Sequence, residues 1–530
     1  MDRQTPRLNS TPRLGTTPPA MAGWVLAATV LGLSQAFATT PCAGLVTLSI
    51  PNTTLTSATV VPATGSTPAY CNVLATVAPQ TDIQVQLPAI WKGRYLHLGG
   101  GGFDGAIPTT APASYAVNPL AEGYAVGASN GGHRAAQYPG ASFAGDQQLV
   151  LGYAYTAIGD TDTVAKALIE AYYGKPARYR YFDGCSNGGK NASVAASRFR
   201  EDYDGVIGGD GVWGHADDHV GGGDMAGLTA VWARVVNVAS TVNPETFPAK
   251  LTALYNAELA RCDALDGLAD GIISNPRACH VDPSALACPA GVDTPSCLTP
   301  TEVTAVKTLQ SDLLLNGRVI GAPYGIGNYV SGLSAVEGGG QALGQGFLAM
   351  AYNNPAYPIA LFNPQKDFTF LSSQFGEVDD MTGPLQGIAA YVSQGGKLIV
   401  WTGGEDALVP AADSVRFVER LSHSVDHEAR DNVRLYTLPG VNHCSGGPGA
   451  DTLDLLTPIS AWVEKGVPPK SLVASKLDAA GAVAFTRPLC SYPRWAKYTG
   501  GDTNSASSFT CVDPDLEVDQ ALTMLNTVTK

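Results

Sequence analysis

Positive charge is scarce in this 530-residue chain: 32 Lys and Arg stand against 46 Asp and Glu, a formal net charge of −14. Such a surface repels phosphate backbones and anionic lipid, which argues against nucleic acid and acidic membranes as partners. Long apolar runs are missing too. The best candidate, "MAGWVLAATVLGL" from Met21 to Leu33, is shorter than the ~20 residues a spanning helix needs. Arg3, Arg7 and Arg13 precede it and the small-residue site "AFA" (Ala36 to Ala38) follows. Residues 1–38 are therefore expected to be a secretory signal peptide, with no membrane attachment after cleavage. Its loss removes three arginines and Asp2, taking −14 to −16. Internal repeats and coiled-coil heptads are absent. Histidine is sparse, with eight in all, which narrows any search for a catalytic base.

Cysteine is plentiful by contrast. All ten (42, 71, 185, 262, 279, 288, 297, 444, 490, 511) lie beyond residue 38. An even count in an exported chain suggests five disulfides and a secreted or periplasmic location, although counting alone leaves about 945 pairings. With 45% hydrophobic residues the chain can bury a sizeable core.

Two regions alternate as a parallel α/β sheet does. In the first, "RYLHLGG" and "GYAVGAS" read as strands, "DTDTVAKALIEAYYG" as an amphipathic helix, "RYRYFDG" as a strand and "NGGKNASVAASRF" as a helix. In the second, "KLIVWTG" and "VRLYTLP" read as strands, with "ADSVRFVERLSHSV" and a closing "LDLLTPISAWVEKG" as helices. The expected architecture is an α/β catalytic domain over residues 39–212 and 381–530. Residues 213–380, where the alternation breaks down into short helical pieces, read as an inserted lid that shapes the site.

Gly184-Cys185-Ser186-Asn187-Gly188 matches G-x-S-x-G between a strand and a helix, the context of a nucleophile elbow. A serine hydroxyl is a weak nucleophile, so a base and an orienting acid should follow in the order Ser, Asp, His. Asp406 follows the strand "KLIVWTG" and His443 follows "VRLYTLP", each at a strand end. If the three assemble, the neighbours Cys185 and Cys444 must also lie close, within the roughly 4.4–6.8 Å that a disulfide spans. The thiol beside the serine then reads as a staple rather than a second nucleophile. "GGGGFDG" (Gly99 to Gly105) contains G-x-G-x-x-G but no helix start follows, so a dinucleotide site is disfavoured. In a hydrolase such a loop supplies an oxyanion-hole N–H, here assigned to Gly102, paired with that of Asn187.

"CDALDGLADGIISNPRAC" (Cys262 to Cys279) carries Asp263, Asp266 and Asp270. It reads either as a solvated acidic turn or as a Ca²⁺ loop, and the flanking cysteines favour the cation. An EF-hand is excluded because Ser274 stands where its Glu would be.

Taken together, "GCSNGG", "GGEDALV", "GVNHCSGG" and "CDALDGLADGI" resemble the tannase and feruloyl esterase family. The resemblance implies an α/β-hydrolase fold with a large lid, a triad of Ser186, Asp406 and His443, and a structural Ca²⁺. The ion would be held by the carboxylates of Asp263, Asp266 and Asp270 and the carbonyls of Leu268 and Ile272. It also implies the pairings Cys42–Cys71, Cys185–Cys444, Cys262–Cys279, Cys288–Cys297 and Cys490–Cys511. The implied activity is that of a secreted serine carboxylesterase acting on a small aromatic ester of the feruloyl or galloyl type. A terephthalate monoester is the alternative substrate, for which Arg318 is a candidate carboxylate grip. A calcium-stabilised secreted binding protein without catalysis is the reading the complete triad argues against.

Overall fold

A computed structural model describes residues 39–109, 116–213, 224–279, 281–325, 340–354, 356–377, 381 and 384–514. The expected signal peptide and parts of the expected lid lie outside them. Among the described residues no helix is long and apolar enough to cross a membrane.

Nine strands form the central sheet: β1 (Thr53–Val61), β2 (Tyr70–Val77), β3 (Thr81–Pro88), β4 (Arg94–Leu98), β5 (Tyr124–Ser129), β6 (Tyr179–Cys185), β7 (Gly205–Gly209), β8 (Lys397–Gly403) and β9 (Val433–Leu438). Their order is β1-β2-β3-β5-β4-β6-β7-β8-β9. The run from β5 to β9 is parallel, and β1 to β3 form an antiparallel wing. Parallel strands covered on both faces read as continuous apolar runs rather than alternating ones. β8 shows why: Leu398 and Val400 enter the core on one face, Ile399 and Trp401 that on the other. Helices α1 (Ala157–Tyr173) and α2 (Asn187–Arg198) then connect the strands, as the alternation implies.

Three features depart from the sequence expectations. The wing β1–β3 was not anticipated, although β2 and β3 alternate buried and less buried residues, as in Ile83-Gln84-Val85. Region 213–380 is also more helical than expected. It holds α3 (Asp224–Ala239), α4 (Phe247–Cys262), α5 (Pro300–Leu309), α6 (Gln341–Tyr352) and α7 (Pro364–Glu377). α3 from Met225 to Val235 is buried at every position, so it has no polar face from which a 3.6-residue period could be read. Its core also takes in Phe143, Tyr153 and Val409, which belong to the sheet region, so the insert packs directly on the catalytic framework. Finally, the expected closing helix spans only Leu456–Lys465, and it is not the last element. Thr452 and Leu453 pair as a strand with Ser471–Leu477, and a further hairpin joins Trp495–Tyr498 to Phe509–Val512.

Candidate active site

Strands β6, β7, β8 and β9 all end at one edge of the sheet, and the segments that follow them converge there. After β6 the chain turns sharply at Ser186, whose φ of 64° and ψ of −120° are strained for a residue with a side chain. The flanking glycines make the turn possible: a Cβ on Gly184 would meet the Gly188 backbone at 2.7 Å, and one on Gly188 would meet the Gly100 carbonyl at 2.9 Å. The loop after β4 thus lies directly against the nucleophile turn. The main-chain N–H of Ser186 donates to the Gly209 carbonyl at 2.9 Å, fixing the turn to the end of β7.

His443 lies 2.7 Å from Ser186 through Nε2 and 2.7 Å from Asp406 Oδ2 through Nδ1. Both contacts are satisfied when Nδ1–H donates to Asp406 and the serine hydroxyl donates to Nε2. Asp406 is fully buried, and its Oδ1 accepts the N–H groups of Leu408 at 2.7 Å and Val409 at 3.0 Å. Burial alone would push the imidazole down. The charge and hydrogen bond of Asp406, followed by the charge of Asp210, outweigh it and raise His443 to about 9. A base held this way is strong when neutral, and it keeps its imidazolium well stabilised once charged.

All five disulfides pair as the resemblance implies, and no cysteine is free. Cys185 and Cys444 are joined with Cα atoms 6.0 Å apart, so the residue before the nucleophile is covalently tied to the residue after the base. Gly102 and Asn187 share with Ser186 and His443 a cavity lined by Met225, Leu228, Trp232 and Phe347. These apolar walls come from α3 and α6. The Trp232 Nε1–H donates to the Leu408 carbonyl at 2.9 Å, pinning α3 to the acid-bearing turn. Asn187 is anchored in turn, its side-chain amide donating to Asp104 in the glycine loop.

Arg318 is placed elsewhere. It sits on an exposed hairpin, outside the residues that line the cavity at Ser186. The acidic loop is likewise absent from the residues that line that cavity. Asp263 accepts the N–H of Asp270 at 3.2 Å and of Gly271 at 3.0 Å, while Asp270 pairs with Arg487 at 2.5 Å. No choice of one oxygen each brings Asp263, Asp266 and Asp270 all within 4.8 Å of one another. Asp266 Oδ2 is buried without a hydrogen-bond partner, and burial raises its carboxyl, with Asp270 and Asp263 adding like-charge repulsion.

One acidic residue at this edge escaped the sequence reading. Asp210 follows β7 in "VIGGDGV" and is fully buried among Asp406, His443 and the disulfide. Its signal was of the same kind as that of Asp406, an acid in the turn that follows an apolar strand.

A mostly parallel sheet carrying a serine–histidine–aspartate relay at its C-terminal edge is the arrangement of an α/β-hydrolase. The chain belongs to the tannase and feruloyl esterase family, whose model matches residues 63–345 and 368–512, and it is a carboxylic ester hydrolase. It is 31% identical to the mono(2-hydroxyethyl) terephthalate hydrolase of Piscinibacter sakaiensis, over 86% of this chain and 87% of that one. It is 30% identical to a probable feruloyl esterase of Arthroderma benhamiae, over 81% and 82% of the two chains. In fold it resembles the crystal structure of feruloyl esterase B from Aspergillus oryzae, with a TM-score of 0.77 at 24% identity, covering 89% of this chain and 99% of that one.

Proposed function

We propose that this esterase hydrolyses aryl carboxylic esters of the feruloyl or galloyl type through an acyl-enzyme on Ser186. The observation that carries this is the unbroken relay from Ser186 Oγ through His443 to Asp406, with both contacts at 2.7 Å. His443 Nε2 takes the hydroxyl proton as Oγ bonds to the ester carbonyl carbon. The N–H groups of Gly102 and Asn187 receive the oxyanion. The carbon–oxygen bond to the alcohol then breaks, and the alkoxide leaves with the proton from Nε2. Water repeats the sequence: it gives a proton to Nε2, attacks the acyl carbon, and Ser186 departs as the hydroxyl with that proton. Apolar walls suit an aromatic acyl group. A terephthalate monoester is the second reading, favoured by the 31% identity to an enzyme of that name. The position of Arg318 outside the cavity weighs against it.

Ca²⁺ is proposed to hold the lid loop, bound by the carboxylates of Asp263, Asp266 and Asp270 and the carbonyls of Leu268 and Ile272. The donor set suits a hard cation, which would satisfy the orphaned Asp266 oxygen and cancel the repulsion among the acids. The ion would supply structure and no step of the reaction. Five disulfides with no free thiol support a secreted or periplasmic setting.

Methyl ferulate, methyl gallate, chlorogenate and a terephthalate monoester, assayed with Ser186→Ala as control, test the activity. The control should lose about 10⁴-fold or more in kcat. A wild type that cleaves none of them and takes up no fluorophosphonate refutes the proposal.

A further inference from the structure

Asp210 holds a place that the triad does not account for. Among the described residues it is one of seven non-glycine residues with positive φ, at 41°, and two of the others, Ser186 at 64° and Cys444 at 61°, stand at the same spot. Each such residue costs on the order of 1 kcal/mol, and three gathered at one strand edge mark a segment held in place by its surroundings. What holds this one is visible. The Asp210 N–H donates to the Trp401 carbonyl of β8 at 3.0 Å. Its Oδ1 accepts the N–H of Gly403, which leads into the Asp406 turn, at 2.7 Å. Its Oδ2 accepts the N–H of Cys444, next to His443, also at 2.7 Å. One carboxylate therefore grips the backbones of both the acid and the base segments, and through the Cys185–Cys444 bridge it reaches the nucleophile turn. One oxygen of Asp210 also lies within 4.8 Å of the acid and base atoms themselves.

We infer that Asp210 is a positioning residue of the triad: it sets the register of the Asp406 and His443 loops and, as a second carboxylate beside one imidazole, stabilises the imidazolium formed during proton transfer. The titratable groups facing it are Asp406 after β8 and His443 after β9. β6 contributes the disulfide and the buried Asp183, which lines a cavity with Trp401 and Cys444, and Tyr324, from the insert, faces Asp406. Burial, then the charge of Asp406, push the Asp210 carboxyl up to about 7, with His443 drawing it back down. Asp210 and His443 therefore titrate as a pair.

The inference rests on the triad assignment, and Asp210→Asn tests it separately. The amide keeps the size but removes the charge and faces one backbone N–H with a donor. The plateau of kcat/KM should fall about 10–100-fold, the worth of a hydrogen bond to a charged group. Without the second anion the imidazole is easier to deprotonate, so the acid limb of the kcat/KM–pH profile should move to lower pH by about one unit. A variant that only loosened the fold would lose plateau or melting temperature and leave that limb in place, which overturns the inference. If Asp210→Asn does not fold, Asp210→Ser, which keeps an uncharged acceptor, is read in the same way. If neither folds, the Asp210 carboxyl carbon resonance of the wild type decides: a titration step shared with the His443 ring is expected, and a His443 titration that leaves the Asp210 resonance unmoved overturns the inference. An active Ser186→Ala would instead defeat the triad assignment and this inference with it, whereas an inactive one with an unmoved limb in Asp210→Asn defeats the inference alone.

Discussion

Removing both sulfurs of the Cys185–Cys444 bridge, as Cys185→Ala with Cys444→Ala, separates two things a disulfide can do. The bridge spans 259 residues of sequence, for which the chain-entropy relation gives about 5.6 kcal/mol of stability. At about 2.1 cal/mol/K per residue over the roughly 490 residues from Ala38 onward, each kcal/mol moves Tm by about 1 °C, so Tm should fall about 5 °C. That leaves a folded protein at 25 °C. The noncovalent ties also survive, since the Ser186 N–H still reaches Gly209 and the Cys444 N–H, now that of alanine, still reaches Asp210. What is lost is the covalent register between the nucleophile and the base. Misplacement by about 1 Å costs on the order of 100-fold in rate, so kcat should fall by that factor well below the melting transition. Steady-state kinetics at 25 °C, beside a melting curve, measures both. A variant that melts about 5 °C lower yet turns over within threefold of wild type would show that the bridge contributes stability only, and the register reasoning would be wrong.

Three further outcomes are expected. Because Asp406 and Asp210 raise His443 above its ordinary 6.5, and the base must be neutral to accept the serine proton, kcat/KM should rise with pH through an apparent pKa above that value; an acid limb at or below it contradicts the electrostatics. Chelation by EDTA should lower Tm by a few degrees, following about 2.7 kcal/mol for a ligand at 100 times its Kd, while kcat at 25 °C holds; identical melting curves and no metal on elemental analysis would dismiss the ion. Lys250 on α4 is almost wholly buried, with Nζ 2.9 and 2.7 Å from the two oxygens of Glu302 on α5. Lys250→Met should leave that carboxylate with only the Thr299 N–H, at a cost of about 3 kcal/mol, and adding Glu302→Met should recover only part of it, because the capping box of α5 is lost with it; a single variant that melts like wild type refutes this.

What the sequence determined by itself is local. The elbow "GCSNG" is legible because its glycines, strand and helix lie within a few residues of one another. Asp406 and His443 are legible because each sits in the short loop that follows an apolar strand. The order of these pieces, with the cysteines beside two of them, was enough for the triad and the staple. Helix α3 was not legible, because an all-round-buried helix lacks the apolar–polar contrast that carries periodicity; the wing was legible but overlooked, since buried Cys71, Val73, Ala75 and Val77 on β2 alternate with less buried neighbours, and Ile83, Val85 and Leu87 on β3 alternate with Gln84 and Gln86. Asp210 marks the boundary most sharply. It lies 193 residues from Gly403 and 234 from Cys444, the two backbones it grips. An acid after a strand is visible in the chain, but which oxygen meets which N–H is decided only when β7, β8 and β9 are laid side by side. Tertiary packing alone fixes contacts between segments so distant, because the hydrogen bonds that specify them do not exist until the sheet has closed.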